Sequence, residues 1–222
     1  MIEEVESSMK KIFTIMVFVF LTSVAHAESS EVRFLLSSLI PQSSDDNWES
    51  AYGLDIELVN WSSPAVGFAA VVGVSQWNAK EVELADYYSD SGTSVAATIN
   101  GNASVFPVGL SILLRPIFSH AAEVTVEAGA RYAMVNSDVS ARYEIRDASG
   151  TTHGEDLIDI DDGFFGLLAL DMAFPLSPYA KISLGAGYQF DISRGSAHFN
   201  DTTIGDSEFQ ASIIRIGFNA KF

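Results

Sequence analysis

The 222-residue chain has no cysteine, which excludes a disulfide scaffold and every thiolate metal site. Basic residues are scarce: 12 Lys and Arg stand against 29 Asp and Glu, for a formal charge of −17. Affinity for a phosphate backbone comes from clustered Lys and Arg, so this balance excludes a general nucleic-acid binder. Only 18% of the chain is charged while 48% is hydrophobic, which excludes a disordered acidic tail. There is no Walker or dinucleotide glycine motif and no metal-ligand His/Asp spacing. Long apolar runs are missing as well. The longest, Ile12 to Leu21, is about half of what a membrane-spanning helix needs.

That run reads as part of a leader. Lys10 and Lys11 precede it and Ala25-His26-Ala27 follows it, which are the three parts of a secretory signal peptide over residues 1–27. Glu3, Glu4 and Glu6 oppose the usual charge pattern, so translation is expected to start at Met9. The mature chain expected from this cleavage is 28–222, with a net charge of −16.

What the rest of the chain has is alternation with period two, the signature of strands with one apolar and one polar face. In 179–191, Ala180, Ile182, Leu184, Ala186, Tyr188 and Phe190 oppose Lys181, Ser183, Gly185, Gly187, Gln189 and Asp191. Segments 31–40, 50–59, 65–76, 105–115, 123–135, 163–174 and the C-terminal stretch through Phe222 follow the same rule. These eight strands are joined by three short proline-containing turns, Asn60–Pro64, Pro116–Ala122 and Pro175–Pro178. Four longer connections, 41–49, 77–104, 136–162 and 192–207, complete the chain. An even strand count with short turns at one end and long loops at the other predicts an all-β, eight-stranded antiparallel up-and-down transmembrane β-barrel. In lipid the sheet must close, because an open edge leaves backbone groups without partners.

The polar face carries Asp55, Glu57, Glu123, Glu127, Asp171 and Asp191 with Arg33, Arg115, Arg131, Lys181, Arg215 and Lys221. Six acids against six bases suit a narrow lumen, where unpaired buried charge is costly. Inverting the faces would instead give a soluble exported β-sandwich. Aromatic residues at the strand ends, Trp61, Phe118, Phe174, Tyr179 and Phe222 at one end and Trp48, Trp77, Phe106, Phe164 and Phe190 at the other, predict two interfacial girdles.

With its leader, eight alternating strands and terminal IIRIGFNAKF, the chain resembles the small outer-membrane barrels of Gram-negative bacteria, of the OmpA-barrel, OmpX and OmpW kind. The resemblance covers 28–222 and is architectural. It implies contact with outer-membrane lipid and lipopolysaccharide, periplasmic termini, and an assembly signal in Ile214, Ile216, Phe218 and Phe222 that is read by the barrel-assembly machinery. It also implies a non-enzymatic role in envelope structure or surface interaction. The alternative is an OmpW-like conduit for small hydrophobic molecules, with Leu35, Val71, Phe165 and Leu167 lining an inward apolar pocket.

An interior just wide enough for side chains predicts no open porin-type channel, and no cofactor or metal is expected. The long loops hold seventeen acids and only four bases, Lys80, Arg142, Arg146 and Arg194. Glu155, Asp156, Asp159, Asp161 and Asp162 form a candidate cation-binding loop of hard oxygen ligands, without EF-hand spacing. Val139, Ala141, Tyr143 and Ile145 continue the alternation of 124–134. They predict a protruding hairpin tipped by Asp147–Gly154, whose edge could pair with an extracellular partner. His198, near Ser193, Ser196 and Asp201, is the one grouping that resembles a catalytic set; His120 lies beside Ser119 at the opposite end. Amino-terminal sequencing of the mature protein should begin at Glu28; any other start disproves the cleavage site.

Overall fold

The computed structural model describes residues 29–42, 48–88, 94–119, 121–147, 149–193, 195–199 and 202–222. The expected leader, His120, Arg194 and Asp201 lie outside them. Twelve strands follow in chain order: β1 (Ser29–Pro41), β2 (Trp48–Trp61), β3 (Val66–Ala79), β4 (Val82–Tyr88), β5 (Ser94–Phe118), β6 (Glu123–Asp147), β7 (Gly150–Ile160), β8 (Gly163–Ser177), β9 (Ala180–Ser193), β10 (Gly195–Phe199), β11 (Thr202–Ser207) and β12 (Ala211–Lys221).

Eight of these, β1, β2, β3, β5, β6, β8, β9 and β12, pair antiparallel in a ring. β12 returns to β1 through an eleven-residue ladder from Glu31↔Lys221 to Pro41↔Ala211, which closes the barrel. Closure gives each ladder donor and acceptor a partner within the sheet. The three short turns and both ends of the barrel chain lie at one rim. Serines tie two of these turns down: Ser63 Oγ accepts from Val66 N at 3.0 Å, and Ser119 Oγ accepts from Ala122 N at 3.1 Å.

The alternation places even-numbered residues of the barrel strands outward. Phe34, Leu36, Ile56, Leu170, Leu184 and Ile216 are all exposed there, and no even-numbered position of the eight barrel segments read from sequence carries a charge. Eleven residues of β12, at about 3.3 Å per residue and a tilt of about 40°, span about 28 Å, enough for a bilayer's apolar core. Water would penalise such a continuous apolar belt heavily.

At the other rim, the connections expected as loops are stranded. β5 and β6 each run for 25 residues. β4 pairs with β5, β7 with β6, and the β10–β11 hairpin attaches to β7. The protruding hairpin forms as expected, but its tip is tighter, running from Asp147 to Gly150, where glycine takes φ +143°. Residues 151–154 belong to the ladder instead.

Polarity inverts along this wall. In β6 the exposed large apolar residues Val126 and Met134 face outward, whereas above them Val139 and Ala141 are buried inside and Asn136, Asp138 and Arg142 face out. The alternation therefore continues while its apolar side changes faces. An apolar exterior suits lipid and a polar exterior suits water, which accounts for the reversal. Gly101, opposite this switch, has φ +124°, and a Cβ there would lie 2.2 Å from the Asp138 carbonyl oxygen, so only glycine fits.

The girdle assignment needs correction for the three tryptophans. Trp61 and Trp77 are odd-numbered and point inward, 2% and 0% exposed. Trp48 is even-numbered, but a register shift between Trp48 and Ser50 turns it inward too. Phe106, Phe174, Tyr179 and Phe222 do remain exposed, and the Phe118 side chain lies outside the description. Leu184→Arg places a cation at the middle of the belt. It should destabilise the barrel by about 2–4 kcal/mol in refolding into phospholipid vesicles, while a charge exchange at exposed Lys221 should change it little.

Candidate functional site

The odd-numbered face of the lower barrel converges on a charge network in the lumen. Arg215 on β12 sits at its centre. Its Nη2 donates to Glu127 Oε2 at 2.6 Å and its Nε to Asp171 Oδ1 at 2.7 Å, with a further contact to Asp171 Oδ2. Glu127 also accepts from Ser111 Oγ at 2.7 Å and lies 3.7 Å from Arg131. Arg131 donates to Asp55 at 2.8 Å. Glu57 is completely buried between Arg33 and Arg131, 3.8 and 3.7 Å away, and neither of its oxygens has a hydrogen-bond partner among the described residues.

A second cluster fills the short-turn mouth. Lys181 Nζ donates to Glu123 at 2.8 Å and to Glu31 at 3.3 Å, and Arg33 donates to Glu31 at 2.8 Å. Arg115 lies 3.5 Å from Glu123 and places its guanidinium carbon 3.5 Å from the Trp61 ring centroid, a cation–π contact away from bulk water. Glycines on the same face make room for these side chains. A Cβ on Gly185 or Gly73 would fall about 2 Å from the carboxylate of Asp171 or Asp55.

The structure thus brings together ten of the twelve expected lumen residues. Asp191 stands apart: its carboxylate accepts from Phe209 N at 3.2 Å, and Gln189 Nε2 donates to Phe209 O at 2.8 Å. Lys221 is a correction. Although in phase, it is the last residue of β12 and exposed at the mouth, with no further rung to cover it. Glu31 was missed from sequence. Its odd number put it on the inward face, but Leu35 and Leu39 on that face blurred the pattern. With Glu31 counted, six carboxylates face five cations in the two clusters.

Above the charges the lumen turns apolar. Phe209 stacks on Trp48 with centroids 5.1 Å apart, meets Trp77 edge-on at 5.1 Å and lies 5.8 Å from Phe165. Trp48 Nε1 donates to the Glu208 carbonyl at 3.0 Å. Leu35, Val71, Phe165 and Leu167 are all buried and fill space rather than open a channel. The cavity between the aromatic and charged layers measures about 20 Å³, room for about one water.

The candidate cation loop does not assemble. Period-two alternation sends Glu155 and Asp156 to opposite faces of β7. Glu155 pairs with Arg142 at 3.0 Å, Asp156 accepts from Tyr143, Asp161 meets His198 at 3.1 Å, and Asp162 accepts from Tyr132 and Val135 N. Asp159 lies in register with His198. No three metal-ligating side chains come together among the described residues. The hydrogen bond from Arg142 holds the Glu155 carboxyl below its usual range, and the Ser149 hydroxyl does the same for Asp147 at the hairpin tip. The Asp156 carboxylate raises the Tyr143 phenol. His198 faces Asp161 and Thr203, not Ser193, whose hydroxyl accepts from Phe164 N.

The closed ring of eight antiparallel strands has counterparts among solved structures. OprG from Pseudomonas aeruginosa superposes with a TM-score of 0.53 at 12% identity, covering 89% of this chain and 97% of that one. This is the fold of a small outer-membrane barrel. The Neisserial surface protein NspA (TM-score 0.45, 11% identity, 87% and 96% covered) and Ail from Yersinia pestis (TM-score 0.42, 10% identity, 89% and 99% covered) are also similar. No family model and no curated protein matches the sequence.

Removing one partner of a buried ion pair leaves the other charge stranded. Arg215→Met should therefore cost about 3–5 kcal/mol in chemical unfolding, and the Arg215→Met/Asp171→Leu double variant should recover part of it. Equal losses in both would show that the pair is not coupled.

Proposed function

We propose that the chain is an integral protein of a Gram-negative outer membrane, with termini in the periplasm and the stranded loop end outside the cell. Its role on this reading is structural or interactive at the cell surface and involves no catalysis. The observation that carries it is an uncharged apolar belt around a lumen closed by ion pairs and an aromatic plug.

The outward wall formed by β4–β7, β10 and β11 would meet lipopolysaccharide and any extracellular partner, and its acidic residues would keep that wall soluble. Ile214, Ile216 and Phe218 line the outer face of β12 and Phe222, just beyond it, is also exposed, where an assembly factor could read them before membrane insertion. A conduit through the lumen draws no support from Leu35, Val71, Phe165 and Leu167, which are packed away. Catalysis draws none from His198, which has no serine at hydrogen-bonding distance among the described residues.

The absence of native cysteine makes topology directly testable. Ser149→Cys at the hairpin tip should label with a membrane-impermeant maleimide on intact cells. Ser63→Cys in a short turn should label only after the outer membrane is permeabilised. The reverse pattern would invert the proposed orientation, and full labelling of both in a soluble fraction would refute membrane insertion.

A further inference from the structure

We propose that the short-turn mouth of the barrel binds one phosphate monoester group, carried by a small solute arriving from that side. The ion pairs there leave a cavity of about 190 Å³. An apolar cavity of about 150 Å³ holds benzene, so this one has room for a phosphate with a small substituent. Its walls carry Arg115, Lys181 and Lys221 against Glu31 and Glu123, with Ser29, Ser177 and Trp61 beside them. The sheet is closed at this level, since the β1–β12 ladder runs to Glu31↔Lys221, and these groups ring a lumen rather than an open edge. Cations gather here although the chain is strongly acidic. Four of the ten Lys and Arg beyond the expected leader, Arg33, Arg115, Lys181 and Lys221, stand in this mouth, while the acidic excess lies in the long loops at the opposite end. Such a separation of charge draws anions to the mouth.

Charge and hydrogen bonding select this occupant. Glu31 already meets Arg33 and Lys181, and Glu123 meets Lys181 and Arg115, so a further cation would find no unmatched carboxylate. The donors, by contrast, are not used up. Lys181 has three N–H donors and spends two of them on these acids. Lys221 makes no ion pair among the described residues. Ser177 Oγ accepts from Tyr179 N, which leaves its hydroxyl proton to donate. Trp61 Nε1 is buried with no acceptor among the described residues, a rare state for a buried N–H. These groups converge from β2, β8, β9 and β12. A phosphate monoester brings a charge of about −1.5 to −2 and three strong acceptor oxygens, which suits donors placed on several sides. A carboxylate brings one charge and two oxygens.

The test is equilibrium dialysis of radiolabelled inorganic phosphate and, separately, of glycerol 3-phosphate against the mature protein in a phosphate-free maltoside detergent. One saturable equivalent of each per barrel is expected. Lys221→Glu and, separately, Ser29→Asp should weaken both at least tenfold, while both variants keep the heat-modifiable gel shift of the folded barrel. Lys221→Arg keeps the charge and should bind as the native chain does. Acetate should compete at least tenfold less well than phosphate. Absence of saturable phosphate binding, or phosphate binding unchanged in both Lys221→Glu and Ser29→Asp, would overturn the proposal. Acetate competing as well as phosphate would overturn the choice of phosphate over carboxylate. Binding of inorganic phosphate without glycerol 3-phosphate would overturn the monoester assignment in favour of the free ion. None of these outcomes bears on membrane orientation, which rests on the labelling pattern.

Discussion

Glu127 is shared by two arginines. Arg215 reaches it from β12 and Arg131 from its own strand, while Ser111 satisfies it from β5. In a lumen this narrow, a charge cannot turn toward water when its partner is lost; Arg33, Arg131, Lys181 and Arg215 each meet more than one carboxylate, and each cluster ties several strands together. The glycines follow from the same constraint: Gly73 and Gly185 leave vacant the space that Asp55 and Asp171 occupy. The polar interior is thus a set of mutually dependent contacts. Its strength comes from geometry, since isolated ion pairs taken out of water gain little.

The eight barrel strands were legible in the sequence because lipid demands an uninterrupted apolar face, and period two is unambiguous over ten residues. The charged lumen followed from the opposite parity. What was misjudged had physical causes. Trp61 and Trp77 were placed by their position at strand ends, although their odd numbers already pointed inward, and Trp48 needed a bulge that no local signal announces. Glu31 was hidden by leucines on its own face. β4, β7, β10 and β11 lie outside the apolar belt, where polar exteriors and scattered small residues resemble loops. The five acidic residues of 155–162 looked convergent in sequence, yet strand alternation and separate partners disperse them.

The inversion of polarity along β6 divides the molecule into a closed lower barrel and an upper stranded extension of opposite character. The lower one keeps its charges within and its apolar side chains without; the upper one does the reverse. Between them lies the plug of Phe209, Trp48, Trp77 and Phe165, held by Asp191 and Gln189 through the Phe209 backbone. That layer insulates the ion pairs from the loop end, and it lets one sheet serve two solvents.

The seam between β1 and β12 joins the first and last strands of the barrel, pairing Glu31 with Lys221. No shorter stretch of the chain can complete the ring. Until the final strand docks, the growing sheet presents two raw edges and a greasy outer surface to an aqueous compartment, with contacts that span nearly the whole polypeptide and so form slowly. The architecture that makes the finished cylinder self-sufficient thereby leaves its precursor with unpaired edges and an uncovered apolar face.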